Sequence, residues 1–302
     1  MPNLLGLIWY DRRHPPADPK HISFKGKIVL VTGANSGLGY ETAVKFAALG
    51  ASTLILGVRT QEKGEQAKAD IIARTQCSPE IFIIETVDLA TFASVRDFAT
   101  RVKARVSKLD VASLNAGIGQ HKYEKSPDGF EMTLQVNVLS TALIALLLLP
   151  KLRETAAVNN DDAPHMPFLL SIAAWMVEDS DLPIGQSIIR RCDDEAKWNM
   201  VKNYFFEKLA LWYFVQGLVE REEKARKSQS KRVIINANCP GMCKTAMNRN
   251  FPLIFRLFMT LQFFSWDAVL NREHALLSVL QRWDRRVLGN CGGMIHTFHR
   301  AR

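Results

Sequence analysis

Residues Lys27 to Gly39 read KIVLVTGANSGLG, and they constrain the chain more than any other stretch. Ile28 to Val31 are a continuous apolar run rich in β-branched side chains, as suits a strand buried on both faces of a parallel sheet. A turn made of Thr32, Gly33, Ala34, Asn35, Ser36, Gly37, Leu38 and Gly39 follows at once, and a helical pattern starts at Tyr40. Strand, glycine-rich turn and helix in that order form a phosphate-binding unit. Gly33 allows the sharp turn, Gly37 lets backbone N–H groups approach a pyrophosphate, and Gly39 lets the helix pack close to the strand with its positive end toward the anion. A tight strand-to-helix turn without a ligand is the competing reading.

Three further strands repeat the logic. Ser52 to Gly57 is the second, followed by Val58, Arg59 and a helix over Gln61 to Arg74. In a dinucleotide-binding fold an acid at this strand end bonds the ribose 2′-hydroxyl of NAD, whereas an arginine accommodates the extra phosphate of NADP. Arg59 stands there with no acid before Glu62, which points to NADPH/NADP through paired hydrogen bonds to the phosphate. A solvent-facing arginine is the alternative. Ile81 to Val87 is a third strand, ending in Asp88 and Leu89; Asp88 is also a candidate cap for the helix that starts near Thr91. Asp110 to Leu114 is a fourth, ending in Asn115, Ala116 and Gly117.

The second half carries the chemistry. A long helix is expected over Gly129 to Pro150, with Asn137 inside it, and a buried helical asparagine must find partners or cost roughly 1–3 kcal/mol. Phe168 to Leu170 is a fifth strand, followed by Ser171 and Ile172. Trp175 to Met200 is long and irregular, as functional loops tend to be. Tyr204 and Lys208 are four residues apart, on one face of a helix. A free phenol, with pKa near ~10, is a poor acid at neutral pH. A neighbouring ammonium is expected to lower that value, so that the phenol exchanges a proton with a carbonyl or alcohol oxygen. Arg232 to Asn238 is a sixth strand, with Pro240, Gly241 and Thr245 after it.

Composition narrows the classes. The chain has 302 residues, no repeat and no long linker, so one domain is expected over residues 26–302, after an extension over residues 1–25. The net charge of +9 sits largely in Arg221 to Arg232 and in the tail after Arg282. Without a groove-binding motif or interleaved aromatics this reads as a solvated loop, and no nucleic-acid partner is expected. Five scattered cysteines make no disulfide framework and no zinc set, so reduced thiols in a cytoplasmic protein and no metal are expected. The N-terminal apolar patch has its arginines after it, the reverse of a secretory signal. Phe251 to Phe264 is the most lipid-like segment, but it is short for a span and is broken by Arg256 and Gln262. It reads as a helix covering the substrate, with a second over Trp266 to Leu280. Membrane-peripheral contact and burial in a homodimer are the other readings.

Taken together, the T-G-x-x-x-G-x-G turn, the N-A-G after the fourth strand, the Y-x-x-x-K helix after the fifth and the P-G after the sixth resemble the short-chain dehydrogenase/reductase family over roughly Gly26 to Thr245. The nearest likeness is to retinol-dehydrogenase-like members and to tailoring reductases of secondary metabolism. The resemblance implies an α/β fold with a Rossmann-type, doubly wound, seven-stranded parallel sheet. It implies hydride transfer between a nicotinamide and a carbonyl or carbinol carbon of a hydrophobic small molecule, favoured as reduction by NADPH. By the same resemblance Tyr204 is the general acid and Lys208 tunes it and bonds the nicotinamide ribose. Asn137 bends its helix and holds a water that links to Lys208. Asp88 with Leu89 meets the adenine, Asn115, Ala116 and Gly117 shape the cofactor floor, and Pro240, Gly241 and Thr245 contact the nicotinamide side. Members of the family show two serines after the fifth strand, the second of them catalytic; here either Ser171 or Ile172 fills that place. Glu207 departs from the small residue usual before the lysine. With the serine position open, a non-redox protein on the same fold, a scaffold or a cyclase/isomerase, is the alternative function.

Overall fold

The computed structural model describes residues 22–159, 162–178, 180–226 and 232–240. Strand β1 (Ile28–Thr32) lies at the centre of a sheet with β2 (Thr53–Val58), β3 (Phe82–Thr86), β4 (Val111–Ser113), β5 (His165–Leu169) and β6 (Ile234–Asn238). All pairings are parallel, in the order β3-β2-β1-β4-β5-β6. This is the doubly wound arrangement expected; the described residues supply six of its strands. Successive strand residues face opposite sides. Val29, Val31, Leu54 and Leu56 therefore pack against helices α1 (Gly37–Ala48) and α2 (Gln61–Thr75), through Phe46, Ala47, Ala67 and Ile71. Leu30, Ile55 and Ala112 pack on the other face, against α3 (Phe92–Arg105), α4 (Met132–Val158) and the later helix α6 (Met200–Arg226). Both faces are dry, which is why the strands read as apolar runs rather than as alternations.

Two prolines sit where local rules would break an element. Pro150 was expected to close the fourth helix, but it lies inside it, and the helix runs on to Val158. An interior proline costs ~3 kcal/mol, whereas burying one leucine returns roughly 1.5–3 kcal/mol. Leu148, Leu149, Leu152 and Ala156 are all buried around Pro150, so packing outweighs the break. Pro167 lies mid-strand in β5 and has no N–H to give β4. The β4–β5 ladder pairs Val111 with His165, and Leu114 with Phe168, with a gap between. The β6 side pairs along the whole strand. The fifth strand thus starts at His165, three residues before the expected Phe168.

Helix α4 is long and apolar enough to cross a membrane, with mean hydropathy 2.0, yet 67% of that window is buried inside the fold, in the core that α4 forms with α3, α6 and one face of the sheet. Its first turns are not regular α: Gln135–Ser140 form a π-helical turn. The irregular stretch after β5 holds a short helix α5 (Ile188–Cys192) and two 3₁₀ turns, Ile172–Met176 and Glu195–Lys197. It is tied down by Lys202 to Asp181 at 2.6 Å and by the Glu131 N–H to Asp193 at 2.6 Å.

Candidate active site

A cleft of about 520 Å³ opens at the C-terminal edge of β1, β2 and β4, where ligands bind in open parallel sheets. Its wall is formed by Gly33, the Asn35–Gly39 stretch, Arg59, Asp88, Leu89, the Asn115–Gly117 tripeptide and Leu169. The turn that builds it tolerates few side chains. Gly33 has φ +69° and donates its N–H to Gly57 at 2.8 Å. A Cβ on Gly39 would lie 2.4 Å from the Gly33 carbonyl oxygen, so β1 and α1 touch backbone to backbone. Ser36 begins α1 with no side-chain cap and no acid in the first turn. The amino end of α1 therefore presents unpaired N–H groups and a partial positive charge to the cleft. These features fit a pyrophosphate.

Thr32 was not expected to matter, yet its Oγ1 accepts from the N–H groups of Asn115 at 3.0 Å and Ala116 at 3.2 Å. One hydroxyl thus joins the turn after β1 to the tripeptide after β4. Lys63, one helical turn beyond Arg59, also lines the wall, and both are exposed cations. Proximity to Arg59 at the start of α2 is the sequence signal that would have found it. Asp88 does not cap α3. Thr91 does so, with Oγ1 accepting from Ser94 N at 3.4 Å, while Asp88 accepts from Ala90 N at 3.0 Å beside the cleft.

The residues expected to carry chemistry meet where the cleft ends at Leu169. Lys208 Nζ donates to the Leu169 carbonyl at 3.1 Å and lies 5.7 Å from the centre of the Tyr204 ring. Ser171 begins the 3₁₀ turn after β5, its Oγ accepting from Ala173 N at 3.2 Å, and its hydroxyl bears on the Tyr204 phenol. Ile172 uses its backbone N–H on Cys239 Sγ at 3.3 Å. Asn137 sits in the π turn. Its Oδ1 accepts from Ile118 N at 2.9 Å and its Nδ2 donates to Ile118 O at 3.0 Å, clamping the loop that continues Asn115–Gly117. Asn137 Nδ2 also donates to Glu207 Oε2 at 2.8 Å. Pro240 follows β6 after Cys239; Gly241, Thr245 and the two helices expected after them lie outside the described residues.

The electrostatics depart from expectation in one respect. Burial raises the Tyr204 phenol above its ordinary value, with the Ser171 hydroxyl opposing and the Cys239 and Glu207 charges adding, so the expected lowering by Lys208 does not appear. Lys208 is itself 7% exposed, and burial lowers its pKa, opposed by Glu207 and Cys239. Desolvation outweighs the attraction between the two groups. Glu207, a departure from the expected pattern, is fully inside, and Thr133 and Glu131 beside it were also missed. Nothing local in the sequence links residues more than seventy positions apart.

Residues 27–158 match the family model described as short chain dehydrogenase. "Short-chain dehydrogenase/reductase ffsI" of Aspergillus flavipes is 40% identical over 252 residues, covering 83% of this chain and 72% of that protein. "Short-chain dehydrogenase/reductase phmF" of Phaeosphaeria nodorum is 39% identical over 248 residues, covering 82% and 71%. A solved structure from Escherichia coli CFT073, described as complexed with NADPH, is 26% identical with a TM-score of 0.55, covering 80% of this chain and 93% of that one. With the fold, the glycine turn and these relatives in agreement, the chain belongs to the short-chain dehydrogenase/reductase family of NAD(P)-dependent oxidoreductases.

Proposed function

We propose that this enzyme is an NADPH-dependent reductase of a hydrophobic ketone or aldehyde, an intermediate of secondary metabolism, with alcohol oxidation as the reverse reaction. The observation that carries this reading is the meeting of Tyr204, Lys208 and Ser171 beside Leu169 at the end of a phosphate-binding cleft. NADPH rather than NADH is favoured by Arg59 and Lys63 on the wall, which would hold the 2′-phosphate, and by the NADPH described in the Escherichia coli relative. The amino end of α1 would hold the pyrophosphate, Asp88 and Leu89 the adenine, Asn115–Gly117 the floor, and Pro240, Gly241 and Thr245 the nicotinamide side. When bound, the reduced nicotinamide supplies the hydride.

The chain's own groups manage the proton. Tyr204 gives its phenolic proton to the carbonyl oxygen as that oxygen gains charge, and Ser171 Oγ–H holds the same oxygen. The Lys208 ammonium steadies the phenolate left behind. A phenol whose pKa burial raises is fully protonated at neutral pH, the state that a proton donor needs. Asn137 fixes the loop under the nicotinamide side through its two bonds to Ile118. The apolar Phe251 to Phe264 stretch is the ground for a hydrophobic substrate, met in the cytoplasm or at a membrane surface.

The test is NADPH consumption over a panel of apolar ketones and aldehydes. Turnover is expected in the wild type, with a loss of roughly 10²–10⁴-fold in Tyr204→Phe, the usual share of a positioned acid. Tight NADPH binding with equal turnover in both proteins refutes the proton assignment, and an absence of dinucleotide binding refutes the function.

A further inference from the structure

Glu207 lies between Tyr204 and Lys208 in the sequence and is 1% exposed. Its Oε2 accepts from Asn137 Nδ2, and its Oε1 contacts the hydroxyl of Thr133. The same Thr133 oxygen lies 2.8 Å from Glu131 Oε2. A threonine hydroxyl owns one proton, and here it stands between two carboxyl groups. With both carboxyls ionised, one of the two contacts would set lone pair against lone pair in a buried site, where nothing else repays the repulsion. One carboxyl therefore carries a proton. Glu131 caps the amino end of α4, its Oε2 accepting from Leu134 N at 2.7 Å, a bond that favours the ionised form and opposes the raising of this carboxyl by burial. Glu207 has no such helix terminus and receives only a side-chain amide.

The geometry points to Glu207 as a neutral acid and a positioning residue for the reductase chemistry: its Oε1–H donates to Thr133, Thr133 donates to Glu131, and Oε2 holds the Asn137 amide against Ile118. This rests on the reductase reading above and adds to it a buried chain of hydrogen bonds that runs from the cap of α4 to the helix bearing Tyr204 and Lys208. Burial agrees, pushing the Glu207 carboxyl up to about 7, with Thr133 and Asn137 opposing, the Glu131 charge adding and the Lys208 charge opposing. From α5, Cys192 lies within electrostatic reach of both carboxyls, with Arg191 and Asp193 near it in turn. Tyr204 is within electrostatic reach of Glu207, and Cys239 of Tyr204 and Lys208. Above neutral pH, Glu207 loses the proton that the chain needs. Two anions then compete for one hydroxyl, and the support of Asn137 loosens.

Glu207→Gln mimics the neutral acid: its amide N–H₂ donates to Thr133 and its oxygen accepts from Asn137. Two measurements test the assignment. Infrared difference titration of the unliganded protein, wild type against Glu207→Gln, reads the carbonyl stretch of a protonated carboxyl without requiring turnover. A band present in the wild type at pH 5.5, absent from Glu207→Gln and lost with a midpoint near 7 is expected; the same band surviving in Glu207→Gln but lost in Glu131→Gln overturns the assignment. In the profile of kcat against pH, the wild type is expected to fall about tenfold per pH unit above that midpoint, as a single ionisation requires. Glu207→Gln is expected to match it at pH 6 and to stay flat through the same range. Superimposable profiles overturn the positioning role. A wild type without turnover refutes the reductase reading instead, and the infrared result then still decides where the proton sits.

Discussion

Replacing Gly39 by alanine isolates the contact on which the cleft is built. A Cβ there would lie 2.4 Å from the Gly33 oxygen, 2.8 Å from the Gly33 carbonyl carbon and 3.1 Å from the Thr32 oxygen. All three are backbone atoms, so no rotamer change relieves the clash. The nearest falls about 1 Å short of ordinary van der Waals separation, and overpacking of that kind costs typically 1–3 kcal/mol. The loop can move only by carrying Gly33 away from Gly57, to which its N–H is bonded at 2.8 Å, and that displaces the wall of the phosphate cradle. If the whole cost fell on ligand binding, NADPH affinity would drop roughly five- to 150-fold. The control is Gly50→Ala. Gly50 has φ +84° with nothing within 4 Å of a Cβ, so it pays the left-handed backbone penalty of about 1–2 kcal/mol and meets no neighbour. Urea unfolding and fluorescence titration with NADPH, run on both variants, separate the terms. Gly50→Ala is expected to lose stability and keep its dissociation constant, whereas Gly39→Ala weakens binding. Wild-type affinity and stability in Gly39→Ala would refute the close-approach argument.

Arg59→Ala and Lys63→Ala should each weaken NADPH binding by roughly ten- to hundredfold, the value of a hydrogen bond to a charged group, and leave NADH binding unchanged in parallel titrations. Thr155→Val should cost about 1–3 kcal/mol in urea unfolding, because Thr155 Oγ1 accepts from the buried Leu109 N–H at 2.8 Å and valine leaves that donor unpaired. His165 is buried in β5, and burial pushes it down to about 3, with Lys27 and Arg232 adding and Asp162 opposing. The unfolded chain, with an ordinary histidine near 6.5, binds the extra proton across the window from about 6.5 down to 3. Stability is therefore expected to fall as pH falls through that window, and His165→Gln should flatten that part of a stability-against-pH curve.

What the sequence made legible follows from what is local. The strand-turn-helix unit, the six strands and the Tyr204–Lys208 face depend on runs and spacings of a few residues, and their elements appear within a few positions of where they were read. The proline errors have one cause. Pro150 and Pro167 are breakers by local rule, and only the buried neighbours of α4 and the pairing to β6 show that they are overruled. Asp88 and Thr91 compete for one cap within four residues, and either fits the pattern; the backbone decided for Thr91. Thr32 is plain in the motif but silent about its role, because its partners come from β4. The Glu131–Thr133–Glu207 chain was unreadable, since it arises where two helices cross. The direction of the Tyr204 shift was missed because spacing reports a neighbour but not the depth of burial.

The π-helical turn at Gln135–Ser140 has a consequence for how this helix tolerates changes in length. A π turn holds one residue more than an α turn, so it sets the phase between the two parts of α4. A deletion of one residue there is absorbed by the return to uninterrupted α and leaves the two parts in phase, whereas an α-helix that kept every residue would rotate everything upstream by about 100° relative to the buried Thr141–Val158 stretch. Glu131, Thr133 and Asn137 would turn away from α6 together while the apolar half kept its seat. The π turn thus absorbs an extra residue and keeps the part of the helix buried in the core in phase with the part that faces α6.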